Sequence, residues 1–527
     1  MESQPERSVQ EIALCNPIIL TKILSQSSAP LKSCRLVSHF WNDTVLSLPN
    51  TRLALKLNQN QDDERDPVSF LELCYKLDDR LAKRIYAATS HLNEVTFYFA
   101  TKLIHLCDKF SDQVQVLEIS IYYEASLQSV FLVLKNSCPN LKQLRVRCSF
   151  SEYDVPSGET LEGPMLSLPS LTVFELNSSV VAPSPILTCF AKLVVNASPN
   201  LKKVTLPWGI YPDLETSKFL DSLTLELDDV RPLDDVLTQL KPSELTRMLN
   251  QIGDQLVHLS FSYCNISNEW ESMQEDNDLD TSTPSGFRLK KKMSKLRRFE
   301  NDMVDIIQHY DLWRDIERMQ ALESLRIGKI SKKSTSVNAV LKNLSETERI
   351  FTKVTDLKIH ELYDPDLLEG LKTAFPNLES LALDTFHEEE EDEEKARMEL
   401  DVVLETCAGF DKLTHLHLWL PTYPEQTWEV LTALFNAVGL DTLVINTHSQ
   451  NHTRHDLTDG DGYMLDLFKT LIVAMSYMDK VVINDLYIDA ESVPILLDVM
   501  ASNEMPVSKF NLFQGKWKND DADIDFD

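Results

Sequence analysis

Glycine is scarce, with twelve in a chain of 527 residues. Loops that cradle phosphate groups need backbone conformations that glycine alone takes without strain, so this scarcity argues against a nucleotide site. No run of about 20 apolar residues is present to span a bilayer, and the stretch Met1–Gln10 is polar and charged, without the apolar core of a signal peptide. Both absences predict a cytoplasmic or nuclear protein with no membrane partner. The nine cysteines never form a Cys-x-x-Cys pair and read as small buried apolar residues in a reducing compartment. Positive charge is also short, 51 Lys and Arg against 82 Asp and Glu, and a net charge of −31 argues against nucleic acid as the main ligand. Gly-x-Ser-x-Gly, His-Glu-x-x-His, Gly-x-Gly-x-x-Gly and phosphate-loop motifs are all missing. The expectation is therefore no catalysis, no cofactor and no metal.

What the chain does have is a repeat. The pattern apolar-x-x-apolar-x-apolar occurs at Leu141-Lys-Gln-Leu144-Arg-Val146, Leu171-Thr-Val-Phe174-Glu-Leu176, Leu201-Lys-Lys-Val204-Thr-Leu206 and Leu256-Val-His-Leu259-Ser-Phe261. It returns in copies starting at Leu322, Val354, Leu378 and Leu413, with weaker ones at Leu92, Val114, Leu220, Leu440, Met478 and Val507. Most steps are near 30 residues; the gap of 66 between Leu256 and Leu322 leaves room for one more copy or an insertion, the latter expected at 268–298. The last two apolar positions sit two apart and so point to one face of a short strand, with the residue between them on the other. Helical stripes fill the intervals: Leu127, Val130, Phe131 and Leu134; Leu400, Val403, Leu404 and Cys407; Trp428, Leu431, Phe435 and Val438. Pro-Asn at 139–140, 199–200 and 376–377 stops a helix and starts the next strand.

Strand alternating with helix at this spacing predicts an α/β array with a parallel sheet on the concave side and helices on the convex side. The units over residues 91–515 resemble leucine-rich repeats of the longer, helix-containing type. They depart from that family at the eighth place after the first leucine, where Asn or Cys ties neighbouring turns together: only Cys264 matches. The resemblance implies an irregular leucine-rich-repeat solenoid, and an acidic disordered tail is expected over 516–527.

Residues 1–60 carry a different pattern. Asn16 and Pro17 open a helix on which Ile19, Leu20, Ile23 and Leu24 share a face, and Pro30 opens a second, running through Trp41. About 45 residues of helix are too few to be robust alone. Ile19-Leu20-x-Lys22-Ile23-Leu24 followed by Cys34-Arg35-Leu36-Val37-Ser38-x-x-Trp41-Asn42 resembles an F-box, a small all-α domain, although Cys15, Asn16 and Ile18 stand where that family opens with Leu, Pro and Glu. The resemblance implies docking onto a Skp-family adaptor, and through it a cullin, by Pro17, Ile19, Leu20, Ile23, Leu24, Leu31, Arg35, Val37 and Trp41. Six basic against four acidic residues in 1–60 suit an acidic adaptor. A competing reading makes this cluster a helical cap on the repeats. A connecting or capping helix is expected over 61–90.

With the F-box resemblance, the chain reads as the substrate-recognition subunit of a Skp–cullin–F-box ubiquitin ligase. The alternative is a repeat scaffold without a ubiquitin role, and more remotely an enzyme on a repeat frame. Outward strand positions are the geometric candidates for contact with a target protein: Glu118, Arg145, Glu175, Thr205, Ser260, Arg326, Lys358, His415, His417, Trp419 and Val444. The alternation in His415-Leu-His417-Leu-Trp419 sets three side chains on one face, as a metal site, a partner contact or ordinary surface. His448, His452 and His455 lie in a polar stretch that reads as a loop. Glu388–Glu394 reads as a solvated helix start. Arg288–Arg298 is a basic segment for an acidic partner, an import signal or part of a flexible insertion.

Overall fold

The computed structural model describes residues 9–26, 29–48, 54–58, 72, 74–89, 96–150, 161, 163–179, 183–227, 241–263, 292–304, 307, 312–329, 336–360, 362, 364, 366–384, 400–420, 423–424, 426–437, 439–447, 454–455, 457, 462–484, 486–489, 491–506 and 510–512. Two compact units follow one another, the first running to Leu256 and the second beginning at Val257.

Among the described residues of the first unit seven strands pair in chain order, every pair parallel. They are β1 (Leu55–Asn58), β2 (Arg84–Ala88), β3 (Val116–Ile121), β4 (Gln143–Cys148), β5 (Val173–Ser178), β6 (Lys203–Pro207) and β7 (Ser222–Leu227). The register brings Leu117, Leu144, Phe174, Val204 and Leu223 into one column, and Ile119, Val146, Leu176, Leu206 and Leu225 into another. All ten are fully buried. At roughly 1.5–3 kcal/mol for burying each such side chain, these columns are the cohesive element of the unit.

Helices lie between strands where the amphipathic stripes place them. Ser126–Asn136 buries Leu127, Val130, Phe131 and Leu134, and Pro185–Ala197 buries Ile186, Leu187, Phe190 and Val194. Each ends at a Pro-Asn turn whose asparagine does more than stop the helix. Asn140 donates its side-chain amide to the Asp112 carbonyl, 3.0 Å, and Asn200 to the Pro169 carbonyl, 2.9 Å. Successive turns are thus tied by asparagine ahead of the strand, not at the place the repeat family uses.

The second unit repeats the plan with β8 (His258–Tyr263), β9 (Arg298–Asn301), β10 (Ser324–Ile327), β11 (Asp356–His360), β12 (Ser380–Asp384), β13 (His415–Leu420), β14 (Thr442–Thr447), β16 (Lys480–Ile483) and β18 (Phe510–Leu512), again parallel and in order. A separate two-stranded sheet pairs β15 (Arg454–His455) with β17 (Tyr487–Ile488). Helices such as Asp366–Ala374, Leu400–Ala408 and Tyr463–Ala474 lie between the strands. Asn377 donates to the Thr352 carbonyl, 2.7 Å, as its counterparts do in the first unit.

Several expectations change. Of the copy starting at Leu92 only Thr96 and Phe97 are among the described residues, and they open the helix Thr96–Lys109 instead of a strand. The stretch 61–90, expected to hold a connecting or capping helix, is helical at 72 and 74–76 among its described residues and then adds the 3-10 turn Asp79–Lys83 and strand β2. There the repeat is written Ala82-Lys-Arg-Ile85-Tyr-Ala87, with alanine in the outer places. The 66-residue gap holds a further copy, Leu296-Arg-Arg-Phe299-Glu-Asn301, whose last inward place is polar. Asn301 is nevertheless fully buried, accepting from Met303 N and donating to the Ile307 carbonyl. The end of the expected basic insertion is therefore core, with Met293 and Leu296 buried. Trp428, read as part of a buried stripe, is exposed, and the helix Thr427–Phe435 buries Val430, Leu431, Ala433 and Leu434 instead. His455 falls in β15, not a loop. His448, His452, Glu388–Glu394 and the tail 516–527 lie outside the described residues. No helix among the described residues is long and apolar enough to cross a membrane.

Candidate interaction surfaces

The N-terminal helices belong to the first unit. Pro17–Leu24 is opened as its sequence predicts, with the Asn16 side chain accepting from Ile18 N at 2.9 Å and Ile19 N at 3.3 Å, and Pro17 supplying a first turn that needs no donor. The second helix does not run from Pro30 through Trp41. It breaks into Leu31–Cys34 and His39–Ser47, because the Ser38 hydroxyl accepts from Trp41 N at 3.2 Å and caps a new helix.

That break sorts the apolar residues into two sets. Leu20, Leu24, Leu31, Val45, Leu46 and Leu48 pack with Leu81 into one small core, with Trp41, Leu55 and Leu77 against it. Arg80 bridges Asp43 and Asp78 at 2.8 and 2.7 Å, and the Lys83 ammonium caps the carbonyls of Leu46 and Leu48 at 3.4 and 3.1 Å. The module is held against the start of the repeats, which resolves its shortage of core. The other set faces out: Ile18 is 78% exposed, Leu36 88%, Val37 61% and Ile19 43%, and Leu14, Ile23 and Phe40 are also exposed.

Of the residues the F-box resemblance assigns to an adaptor, Pro17, Ile19, Ile23 and Val37 are accessible. Leu20, Leu24 and Leu31 are not, since they form the module's own core. Arg35 is half-buried and donates to the Asn42 side chain at 2.9 Å, and half-buried Trp41 packs on the core, so both shape the module from within. Ile18, Leu36 and Phe40 lie outside that assignment and are exposed, although Leu36 and Phe40 form a second apolar stripe in the sequence. Their signal was the apolar pair Leu36-Val37 placed just ahead of a good capping serine.

The second surface is the sheet face carrying the residues between the core columns. In the first unit the register aligns Glu118, Arg145, Glu175 and Thr205. Arg145 sits 2.8 Å from Glu175 and 3.8 Å from Glu118, and Lys203 lies 2.8 Å from Glu175, so acids and bases alternate and pair across strands. Thr205 is buried and offers no contact.

In the second unit one row reads Ser260, Glu300, Arg326, Lys358, Ala382, His417, Val444 and Val482 across β8 to β16. Ser260, expected to face a partner, is buried and donates to Glu300 at 3.0 Å. Arg326 stands 2.7 Å from Asp302, and His360 3.3 Å from Asp384. Gly328 makes the Arg326–Asp302 approach possible, because a Cβ there would stand 3.0 Å from the Asp302 carboxylate and 3.3 Å from His360 Cβ. Burial raises the Asp302 carboxyl above the usual range, partly offset by Arg326. His417 stacks on Trp419 with ring centroids 3.8 Å apart, and the Lys358 ammonium lies 5.4 Å from the Trp419 ring. Asn484 donates to Asn446 at 2.7 Å, and the Asn446 amide donates to His417 Nε2 at 3.1 Å, leaving the proton on Nδ1. Burial, then the charges of Lys358 and Lys480, lower the His417 pKa. His415 is exposed beside Thr414. No group of His, Cys, Asp and Glu among the described residues is arranged to hold a metal.

Glu300 gives this face a pH signature. Burial works against its ionisation, but the hydrogen bond and charge of His258, the Ser260 hydroxyl and Arg326 outweigh it and draw the carboxyl from 4.5 down to about 2. A carboxyl depressed by folding contributes stability that is present above its unfolded value, near 4.5, and lost as pH falls toward about 2. Glu300→Gln is therefore expected to flatten the acid limb of stability in that window. Urea midpoints measured stepwise in pH test this, and an unchanged slope contradicts it.

No protein-family model matches the chain, and no curated protein matches it.

Proposed function

We propose that the chain is a substrate receptor of a Skp–cullin–F-box type ubiquitin ligase, an F-box-like module followed by a leucine-rich-repeat array. The N-terminal helices dock a Skp-family adaptor, and the outer strand face receives a protein target. Ubiquitin transfer occurs on other subunits. The observation that carries this reading is the split of the N-terminal apolar residues: Leu20, Leu24 and Leu31 satisfy the module's own core, yet Ile18, Ile19, Ile23, Leu36, Val37 and Phe40 remain exposed. A cap serving only the repeats has no use for a second apolar face, since terminal units are polar on the outside. Large apolar side chains left exposed in such number on so small a module support an association surface.

The test is co-purification of a Skp-family adaptor and a cullin with the full chain. Both are expected to be retained by the native protein and lost with Ile19→Asp and Ile23→Asp combined. A chain that folds and retains neither partner contradicts the reading and favours the scaffold. Leu20→Ala and Trp41→Ala are poor probes, because both residues support the module's core.

A further inference from the structure

The outer strand face of the second unit pairs its own acids. Glu300 has His258 and Ser260, Asp302 has Arg326, Asp384 has His360, and Asp356 accepts from Ser324 at 2.6 Å. Three of the face's bases are consumed in this way. Lys358 is left over: among the described residues no carboxylate lies within ion-pair distance of it, and its ammonium leans over Trp419. The exposed Lys480 lies in the same sheet, at the start of β16. In a chain of net charge −31, Lys358 is thus an ammonium with no carboxylate in contact, half-buried on a face where Asp302, Asp384 and Glu300 act on it only at longer range.

Next to Lys358 in the register stands Ala382, whose methyl group leaves space above the sheet between Lys358 and His417. With strands about 4.8 Å apart, the Cα atoms of Lys358 and His417 are separated by about 10 Å. That is room for a carboxylate and its stem. Beyond His417 the row turns apolar at Val444 and Val482, both half-buried.

We propose that Lys358, with His417 and Trp419, is the anchor for an acidic segment of a partner protein, a Glu or Asp carboxylate resting on the Lys358 ammonium and adjacent apolar side chains lying over Ala382, Val444 and Val482. This rests on the reading that the strand face receives a protein target. The charge supply selects a carboxylate over a phosphate: one unpaired ammonium beside an imidazole held neutral matches a single negative charge. The arginine that a doubly charged phosphate would use is already committed to Asp302. Burial, and then the charge of Arg326, depress the Lys358 pKa, so an incoming anion relieves a cost already present in the free protein. In the first unit the charges around Arg145 pair among themselves and leave no comparable lysine.

The test uses the full chain and three short fluorescein-labelled peptides with Gly-Ser ends. One alternates glutamate with valine and leucine, one has glutamine in place of glutamate, and one has phosphoserine in place of glutamate. Fluorescence anisotropy is expected to give saturable binding of the glutamate peptide, at least about tenfold tighter than either counterpart and weakening with salt. Lys358→Glu is expected to lower that affinity at least about tenfold and Lys358→Arg to retain it, with Trp419→Ala also weakening it. Lys342→Glu, at an exposed helical position, leaves it unchanged. A thermal melt of each variant separates lost binding from lost folding, and Lys358→Met repeats the test without an added acid. Absence of saturable binding, equal binding of the glutamine peptide, preference for the phosphoserine peptide, or equal losses in Lys342→Glu and Lys358→Glu overturns the proposal. Adaptor retention through Ile19 and Ile23 is read in a separate assay, so either result stands without the other.

Discussion

The full chain carrying Leu36→Asp and Val37→Asp is expected to bind a Skp-family adaptor at least about a hundredfold more weakly than the native chain, while its folded stability stays within about 1 kcal/mol. Both side chains lie on the turn between the two short helices, so they contribute little to the interior. Their value lies in what they present. Placing two carboxylates where an apolar contact is buried on association leaves charges without partners in a desolvated interface, which costs more than the loss of contact alone. Leu20→Ala makes the opposite case. Its side chain is fully buried in the module's core, and truncation is expected to cost about 2–5 kcal/mol of stability, losing the adaptor through unfolding and not through contact. Titration calorimetry together with urea melts on the same two proteins separates these outcomes. Normal affinity in the Leu36/Val37 variant would place the docking surface elsewhere.

Phe174→Ala is expected to produce the largest stability loss of any single substitution considered, about 3–5 kcal/mol. Phe174 is fully buried in the core column of the first unit and meets Phe190 edge-on, with centroids 6.4 Å apart, so it joins the strand layer to the helix Pro185–Ala197. In a repeat array each unit is stabilised mainly by its neighbours, so a cavity at this position weakens the two interfaces it shares with β4 and β6. Phe219→Ala, at a position 60% exposed, is the control and is expected to change stability by less than about 0.5 kcal/mol. Chemical denaturation followed by circular dichroism checks both. Similar midpoints for the two variants contradict the assigned core.

The repeating strands were legible because their inward places are held by large apolar residues, and the spacing of two along a strand is a constraint no other element imposes. Legibility failed where those places are filled by something else. Ala82 and Ala87 are too small to stand out, although both are buried, and Asn301 is polar, although its side chain is satisfied inside the fold. The copy at Leu92 shows the converse: its described end, Thr96-Phe97, is taken into a helix because Phe99, Leu103 and Leu106 continue at helical spacing and are buried.

For the surfaces the limits were different. Periodicity distinguishes faces of one helix, but which face a small module keeps for itself depends on the capping contact of Ser38 and on Leu77 and Leu81, far along the chain. Thr205 and Ser260 had the geometry of outward residues and are buried all the same. Cross-strand charge pairing around Glu300, Asp302 and Arg326 depends on register, and register between β9 and β10 became visible only once Asn301 was seen to hold an inward place.

Hydrogen–deuterium exchange of the full chain with and without a purified Skp-family adaptor tests the central claim most directly. Protection on complex formation is expected in Pro17–Leu24 and in the turn and helix from Arg35 to Ser47, with the strand amides of β3 to β6 unchanged. No change in the N-terminal helices at adaptor concentrations that saturate a known receptor, or protection confined to the strands, contradicts an adaptor-docking role for the exposed apolar face.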